Sequence, residues 1–322
     1  MMSDNFNPTL YYYYGSSCSQ KVLLALIEKG CKFERKIIDI RAGEQNEPEY
    51  MRMNPNGVVP VLKHGQKIII ESERIVDYIC EHVKSGPQLV PDENTSIGQE
   101  VKKIRQYFDN VIKIGIATYG VINNEEFSVT GIKMPKMMLK QMKDIKAMEK
   151  MFESLKEKAD KYPDLRDAYL TKLEQRRKFI SAIQDKEEVA KCLDDLEKNC
   201  DLLEESLKKS KAAASSGEEF WLTGPQYTAA DVAIVIFIDR LTMLGLDSRY
   251  FTKEKRPLLN NYCQKIGQRK AVQMMREDVK KTAKKQLWKK VKSVIPYVAS
   301  AATLGVAVGS FYSGCSLMRE CL

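Results

Sequence analysis

Two serines and a cysteine lie where an aromatic, strand-like run gives way to a helix. Ser16, Ser17 and Cys18 follow Gly15, which ends that run. Unpaired backbone N–H groups and the helix dipole favour an anion at such a position, so the pKa of a thiol bound there should fall. A serine hydroxyl that donates to the sulfur would favour the thiolate further. We therefore predict a thiol-activating site, with helix capping by Ser16 or Ser17 as the alternative.

The elements around this site alternate between strand and helix. Strands are predicted over residues 9–14, 33–40, 58–62 and 67–70. Helices are predicted over residues 20–29 and 72–83, because their apolar residues recur three and four positions apart. A turn at His64-Gly65 joins the last two strands. The order is β-α-β followed by β-β-α, which places Ser16, Ser17 and Cys18 after the first strand.

The composition excludes several kinds of site. Hydrophobic residues make up 43% and charged residues 30% of the 322 residues, as in globular proteins. Two histidines are too few for a histidine-rich metal centre or a Ser-His-Asp triad, so we predict no metal. The eight cysteines form no C-x-x-C pair and are interpreted as reduced thiols. The net charge of +9 comes largely from lysines near the C-terminal end, so we predict no nucleic-acid partner.

The chain beyond residue 95 is predicted to be helical. One long helix is expected over residues 97–118, and further helices over 168–180 and 187–207. Thr228 and Asp231 form a capping-box pattern before the apolar run 232–238, which indicates a buried helix. A methionine-rich stripe also recurs at helical spacing: Met138, Met142, Ile145, Met148, Phe152 and Leu155. Such a stripe either offers an adaptable face to partners or, as is commoner, packs on the protein's own body.

Residues 294–317 lack charged side chains and are predicted to form a transmembrane tail anchor. As a helix this segment would be about 36 Å long, enough for a hydrocarbon core of about 30 Å. Lysines crowd its N-terminal side, which places the large body in the cytosol. Ala301, Gly305, Gly309 and Ser313 form a ladder of small residues that could pair two such helices. The alternative for the segment is a buried core helix. The alternative for the ladder is that its small residues only make the tail mildly hydrophobic and do not pair helices.

Three segments together resemble the glutathione transferases. They are YYYYGSSCSQKVLLAL over 11–26, NPNGVVPVL over 54–62 and ESERIVDYI over 71–79. The resemblance implies an α/β thioredoxin-like domain over residues 8–84 and an all-α domain over 95–292. An insert at about 120–186 has no counterpart in ordinary transferases. With the transmembrane helix over 294–317, this is the expected fold.

The resemblance also implies which residues would bind glutathione. The first serine of the S-S-C string takes the catalytic role in zeta-like members, which corresponds to Ser16, with Ser17 next. Cys18 could instead form a mixed disulfide, as in omega-like members. Pro60 matches the cis-proline that exposes the Val59 backbone to an extended peptide.

The third segment begins the helix predicted over residues 72–83. In the family, the pair that matches Glu71 and Ser72 grips the γ-glutamyl end of glutathione. Ser72 could donate to that carboxylate, helped by the helix N-terminus. The alternative for Ser72 is that it only caps the helix.

The insert and the tail resemble the ganglioside-induced differentiation-associated branch of the superfamily. The matching segments are YPDLRDAYLTK over 162–172, LDDLEK over 193–198 and KRPLLNNY over 255–262. This resemblance implies location in the mitochondrial outer membrane, with the peroxisomal membrane as a second location, and a role in mitochondrial network shape and fission. It also implies a homodimer, contact with outer-membrane lipids, and fission or cytoskeletal proteins as partners.

Two functions are consistent with these features. The first is an adaptor or sensor that docks partners at the organelle surface. The second is a transferase in which Ser16, assisted by Ser17 or Cys18, activates glutathione for addition to a lipid-derived electrophile. Catalysis is disputed in the ganglioside-induced branch, so we favour the adaptor or sensor.

Overall fold

A four-stranded sheet forms the centre of the N-terminal domain in the computed structural model, which describes residues 6–110 and 112–303. Its strands are β1 (Thr9–Tyr12), β2 (Glu34–Ile37), β3 (Val61–His64) and β4 (Lys67–Ile70). They lie in the order β2-β1-β3-β4, with β1 parallel to β2 and antiparallel to β3. The side chains of β1 alternate in burial, with Leu10 and Tyr12 in the core. β4 has the predicted bounds, whereas β1 and β2 are shorter and β3 begins three residues later.

Three helices complete this domain: α1 (Ser17–Glu28), α2 (Pro48–Met53) and α3 (Ser72–His82). α1 packs against α3, and Val22, Leu23 and Leu26 of α1 are fully buried. The α/β thioredoxin-like domain predicted from the sequence is confirmed. α2 was not among the predicted elements, because six residues are too few for a helical apolar pattern to be recognised.

The second domain consists of helices. They are α4 (Ser96–Asn110), α5 (Ile114–Asn123), α6 (Lys136–Met142), α7 (Ile145–Lys161), α8 (Arg166–Gln184), α9 (Lys186–Ala213), α10 (Ala229–Met243), α11 (Asp247–Tyr250), α12 (Pro257–Gln268) and α13 (Lys270–Thr303). The single helix predicted over 97–118 is wrong, since α4 ends at Asn110 and α5 begins at Ile114. α4 has one buried face, whereas α5 is buried over most of its second half against α8 and α9.

The start of α10 is fixed by the predicted capping box. The Asp231 carboxylate accepts hydrogen bonds from the Thr228 backbone N–H at 2.8 Å and from the Leu222 N–H at 3.0 Å. It also accepts one from the Tyr262 hydroxyl at 2.6 Å. Residues 232–238 behind it are buried, so the predicted capping box and buried helix are both confirmed.

An ion network that includes two residues of α3 joins the two domains. The Glu73 carboxylate pairs with Lys21 of α1 at 2.5 Å and with Arg105 of α4. Lys21 also pairs with Asp109 at 2.7 Å, and Arg105 with Asp77 at 2.7 Å. Desolvation alone would raise the pKa of Glu73, but the two cations outweigh it and hold that pKa below its usual value.

Helices α7 and α8, which lie in the predicted insert, pack on the thioredoxin-like domain. Leu155, Tyr169 and Leu173 form a small second core with Met51 of α2. The Tyr169 hydroxyl donates to the Asn46 carbonyl at 2.9 Å. Phe152 and Leu155 of the predicted stripe therefore contact the protein's own body, whereas the side chains of Ile145 and Met148 lie outside the described residues.

A buried lysine fixes α8 to the loop that precedes β3. The Lys172 ammonium donates to the backbone carbonyls of Gly57 and Asn56. Gly57 has φ +56°, and a Cβ there would overlap Lys172 Nζ and the Met51 sulfur. Burial, and secondarily Arg176, lowers the pKa of Lys172 to about 7.

The last described helix leads from the body toward the predicted anchor. Val272 and Met275 of α13 are buried, and Arg35 of β2 pairs with Asp278 of α13. Among the described residues, which end at 303, no helix is both long and apolar enough to span a membrane. Residues 304–317 of the predicted anchor, with most of its small-residue ladder, lie outside the described residues.

We expect the stability of the protein to depend on the protonation of Lys172. The unfolded chain keeps this proton up to about pH 10, whereas the folded chain releases it near pH 7. Folding therefore becomes more favourable as pH rises between these values. Relative to Lys172→Met, the free energy of unfolding of the wild type should rise by up to about 1.4 kcal/mol per pH unit above pH 7.

Urea unfolding between pH 6 and 9 measures this difference. Lys178→Met is the matched control, because Lys178 lies exposed on the same helix, and it should follow the wild type across the range. Parallel pH profiles for the wild type and Lys172→Met would contradict the expectation.

Replacing Glu73 by glutamine should destabilise the protein by about 3–5 kcal/mol, because two buried cations lose their shared partner. The pKa of Glu73 is lowered in the folded state, so its stabilising effect is complete above the usual glutamate pKa of about 4.3. This effect is lost as pH falls through the lower folded value. The comparison is made by urea unfolding at pH 7 and pH 3. Glu174→Gln, at an exposed ion pair, should change nothing measurable, and an equally small effect of Glu73→Gln would refute the role of the network.

Candidate functional site

Two serine hydroxyls, of Ser16 and Ser17, lie where the loop after β1 meets the start of α1. Ser16 is the N-cap of α1, and its Oγ accepts a hydrogen bond from the Ser19 N–H at 3.3 Å. Ser17 is the first helical residue. The capping interpretation is thus correct for Ser16, but it uses only the oxygen as an acceptor. The hydroxyl proton remains able to donate to a bound sulfur.

An arginine from the helical domain reaches this loop. Arg240 Nη2 donates to the Gly15 carbonyl at 2.8 Å and to Ser17 Oγ at 2.9 Å. Ser17 therefore also uses its oxygen as an acceptor. Arg240 is absent from the residues that the motifs predict. Its signal was a charged pair, Asp239-Arg240, that interrupts an otherwise apolar helix.

Cys18 is the second residue of α1 and lies exposed, beside Ser72. The protein crowds its thiol, and this loss of water, opposed by Lys21, raises the pKa of Cys18. Asp109 and Glu71 raise it further, whereas a hydrogen bond with Ser72 lowers it. The thiol is therefore protonated at neutral pH, which disfavours thiolate chemistry at Cys18 itself.

The Val59–Pro60 peptide bond is cis, as the family resemblance implied. Two side chains hold Val58, the residue before this bond. Its carbonyl accepts hydrogen bonds from the Tyr50 hydroxyl at 2.9 Å and from Asn54 Nδ2 at 2.8 Å. Val59 and Pro60 are both buried. β3 begins directly afterwards and pairs with β1, which places this loop next to the strand that leads to Ser16.

Glu71 and Ser72 lie at the N-terminus of α3. Glu71 has φ +67° and ψ +119°, an unfavourable conformation for a residue with a side chain. It occupies the N-cap position, so the alternative capping role for Ser72 is wrong. Ser72 is the first helical residue and is buried, and its hydroxyl lies beside helix N–H groups that favour an anion.

The three predicted segments therefore meet at one end of the sheet. Cys18 contacts Ser72, and Asn56 in the loop before the cis bond donates to the Glu71 carboxylate at 3.1 Å. The site combines two helix N-termini with a stretch of backbone next to a cis-proline. This arrangement suits an extended peptide that carries a carboxylate at one end and a thiol at the other.

Two family models match the chain and together cover more than half of it. The N-terminal domain of glutathione S-transferase matches residues 15–82, and the C-terminal domain matches residues 147–270. Members of this family bind glutathione as a substrate. The first match contains every predicted site residue.

Curated relatives and solved structures agree with these matches. The human ganglioside-induced differentiation-associated protein 1-like 1 is 29% identical over 85% of this chain and 74% of its own length. The tetrachloro-p-hydroquinone reductive dehalogenase of Sphingobium chlorophenolicum is 28% identical over 83% of this chain and 95% of its own.

Among solved structures, the beta-etherase of Sphingobium sp. strain SYK-6 is 22% identical and has a TM-score of 0.58. The match covers 84% of this chain and 99% of the etherase. At this identity the likeness concerns the fold alone. The chain therefore belongs to the glutathione transferase superfamily and, within it, resembles the ganglioside-induced differentiation-associated proteins.

Proposed function

We propose that this protein is a glutathione-binding sensor or adaptor held at the mitochondrial outer membrane, where it regulates network shape and fission. The observation that carries the proposal is the convergence of Ser16, the cis Val59–Pro60 bond and Ser72 at one end of the sheet. The membrane and the role in fission follow from the resemblance to the ganglioside-induced branch. Peroxisomal membranes are a second expected location.

Three parts of glutathione have a counterpart in this site. The thiol would lie at the N-terminus of α1, where Ser16 and Ser17 can donate to the sulfur. The peptide backbone would pair with Val59 beside the cis bond. The γ-glutamyl carboxylate would accept from the buried Ser72 hydroxyl and the N–H groups of α3.

The contact of Lys172 with the binding loop favours a sensor. Lys172 donates to the Asn56 and Gly57 carbonyls, three and two residues before Val59. A ligand that orders or shifts this loop therefore acts on α8 and the insert directly. An ordinary transferase needs no such connection, because its chemistry is complete at the thiol.

A transferase that conjugates lipid-derived electrophiles is the second candidate. The free hydroxyl protons of Ser16 and Ser17 favour it, since both oxygens already accept hydrogen bonds from the protein. Desolvation of Cys18 leaves the serines as the groups that would stabilise a glutathione thiolate.

The lysines of α13 support the proposed membrane location. The following lysines of this helix are exposed: Lys280, Lys281, Lys284, Lys285, Lys289 and Lys292. Trp288 lies exposed among them. Such a surface is complementary to anionic lipid headgroups. With an anchor over 294–317, the body would face the cytosol, where a homodimer and fission or cytoskeletal proteins are the proposed partners.

Ser72→Ala should weaken glutathione binding by at least about tenfold, because a hydrogen bond to a charged carboxylate is lost. Isothermal titration calorimetry of the full chain in detergent measures the dissociation constant. Ser215→Ala, an exposed serine in the loop after α9, is the matched control and should bind as the wild type does. Absence of binding heat for the wild type at millimolar glutathione would refute the proposed ligand.

Rescue of mitochondrial shape in cells that lack the protein separates the two roles. We expect a chain ending at residue 293 to fail, because it would no longer be held at the membrane. Ser16→Ala/Ser72→Ala should also fail if glutathione occupancy controls the adaptor. Full rescue by the truncated chain at native abundance would refute the proposed anchor. Full rescue by the double variant would show an adaptor that does not need glutathione.

A further inference from the structure

Lys172 brings a buried amino group from the insert to the loop that precedes the cis-proline. The residue is only 4% exposed, and its ammonium donates to the Asn56 carbonyl at 3.2 Å and to the Gly57 carbonyl. Two carbonyl dipoles do not replace the hydration that an ammonium group loses on burial. The positive charge therefore exists here at a cost, which an anion nearby would reduce.

No carboxylate in the described part of the chain lies within ion-pair distance of Lys172. The charged groups on the elements packed around it form two pairs of their own: Glu47 with Lys158 at 2.7 Å, and Arg52 with Asp164 at 2.9 Å. Arg176, one turn further along α8, adds a second positive charge. The protein itself thus supplies no counter-ion for Lys172, and this distinguishes Lys172 from the other buried lysine near the site, Lys21, which pairs with Glu73 and Asp109.

The loop that Lys172 holds is the one proposed to bind the peptide backbone of glutathione. Two of the three carbonyls that precede Val59, those of Asn56 and Gly57, accept hydrogen bonds from Lys172. The Asn56 side chain donates to the Glu71 carboxylate at 3.1 Å, at the start of α3. The loop therefore connects Lys172 both to the cis-proline and to the helix N-terminus proposed for the γ-glutamyl end.

We infer that Lys172 couples occupancy of the glutathione site to pH, so that the anionic ligand binds more tightly when Lys172 is protonated. This coupling rests on the proposed function for the identity and position of the ligand. Glutathione has two carboxylates and one ammonium group at neutral pH, and hence a net negative charge. Two residues of backbone separate Gly57 from Val59, a span of at most about 7 Å. At roughly 10 Å and an effective dielectric constant of about 20, the attraction of two unit charges changes affinity about tenfold.

The direction of the pH dependence follows from proton linkage. Burial, and then Arg176, lowers the pKa of Lys172 to about 7 in the free protein. An anion at the loop should raise this pKa, so the complex holds more protons than the free protein near and above pH 7. Affinity should therefore fall as pH rises through this range.

Other groups around Lys172 do not titrate in the same range. Burial raises the pKa of Tyr169, on the same face of α8, to about 12, and residues 54–58 of the loop have no titratable side chain. The two histidines of the chain lie near the C-terminal end of α3, since His82 is its last residue and His64 hydrogen-bonds to Tyr78. Both histidines are retained in every variant used below.

Calorimetric titration of the full chain in detergent with S-methylglutathione measures the coupling, because this ligand has no titratable thiol. The dissociation constant of the wild type should rise about three- to fivefold from pH 6 to pH 8. Lys172→Met, which has no charge at either pH, should show a ratio of about one. Lys178→Met, at an exposed position of the same helix, should keep the ratio of the wild type.

Arg176→Gln provides a second variant that retains Lys172 and remains informative if Lys172→Met does not fold. Removing this positive charge should raise the pKa of Lys172, so the fall in affinity should shift to higher pH. Proton uptake is measured by repeating the titrations at pH 7.5 in two buffers with different ionisation enthalpies. The wild type should take up a fraction of a proton on binding, and Lys172→Met should take up none.

The results separate the coupling from the proposed ligand. Binding without proton uptake by the wild type, tighter binding at pH 8 than at pH 6, or an equal pH dependence in the wild type and Lys172→Met would overturn the coupling and leave the proposed ligand intact. An unchanged pH profile in Arg176→Gln would also count against it. Absence of binding by the wild type at millimolar S-methylglutathione would refute the proposed ligand and the coupling together.

Discussion

The candidate site depends on the ion network around Glu73. This carboxylate lies one residue after Ser72, in the first turn of α3, and it binds Lys21 of α1 and Arg105 of α4 at once. α1 carries the serines and the cysteine, whereas α4 belongs to the helical domain. One buried anion therefore fixes the two helix N-termini that would hold a ligand and docks them on the second domain. The strained backbone of Glu71 is maintained because its own carboxylate accepts a hydrogen bond from Asn56 and because Glu73, two residues later, is held by this network.

Helix α8, in the predicted insert, contacts the loop that precedes the cis-proline. A lysine that ends the segment YPDLRDAYLTK would ordinarily be solvated, yet Lys172 is buried and donates to the loop before the cis-proline. Its lowered pKa follows from that burial, since two carbonyl dipoles do not replace the lost hydration of an ammonium group. The small core around Met51 and Tyr169 holds α8 in place. The methionine-rich stripe is thus explained in part by packing within the chain, which leaves less of it for a partner protein.

What the sequence could predict was mostly local. The order of strands and helices along the N-terminal domain, the capping box of Thr228 and Asp231, and the cis-proline depend on residues a few positions apart or on a motif with one structural meaning. The bonds from Arg240 to Ser17 and from Lys172 to Gly57 join residues 223 and 115 positions apart. No periodicity or spacing encodes such pairs, because they arise only when helices dock. The break before α5 was missed for the same reason, since burial by α8 and α9 distinguishes α5 from α4.

One helix links the candidate site to α13, the last described helix. The last turn of α10 carries Arg240, which holds Gly15 and Ser17, and Asp239, which holds Arg276 of α13. The start of α10 is fixed by the buried Asp231. A ligand that draws the guanidinium away from the loop would therefore strain the end of α10 rather than its beginning. The same end of α10 also contacts α13 through Asp239 and Arg276. Ligand binding at the site and the orientation of α13 would therefore both depend on the position of this end of α10.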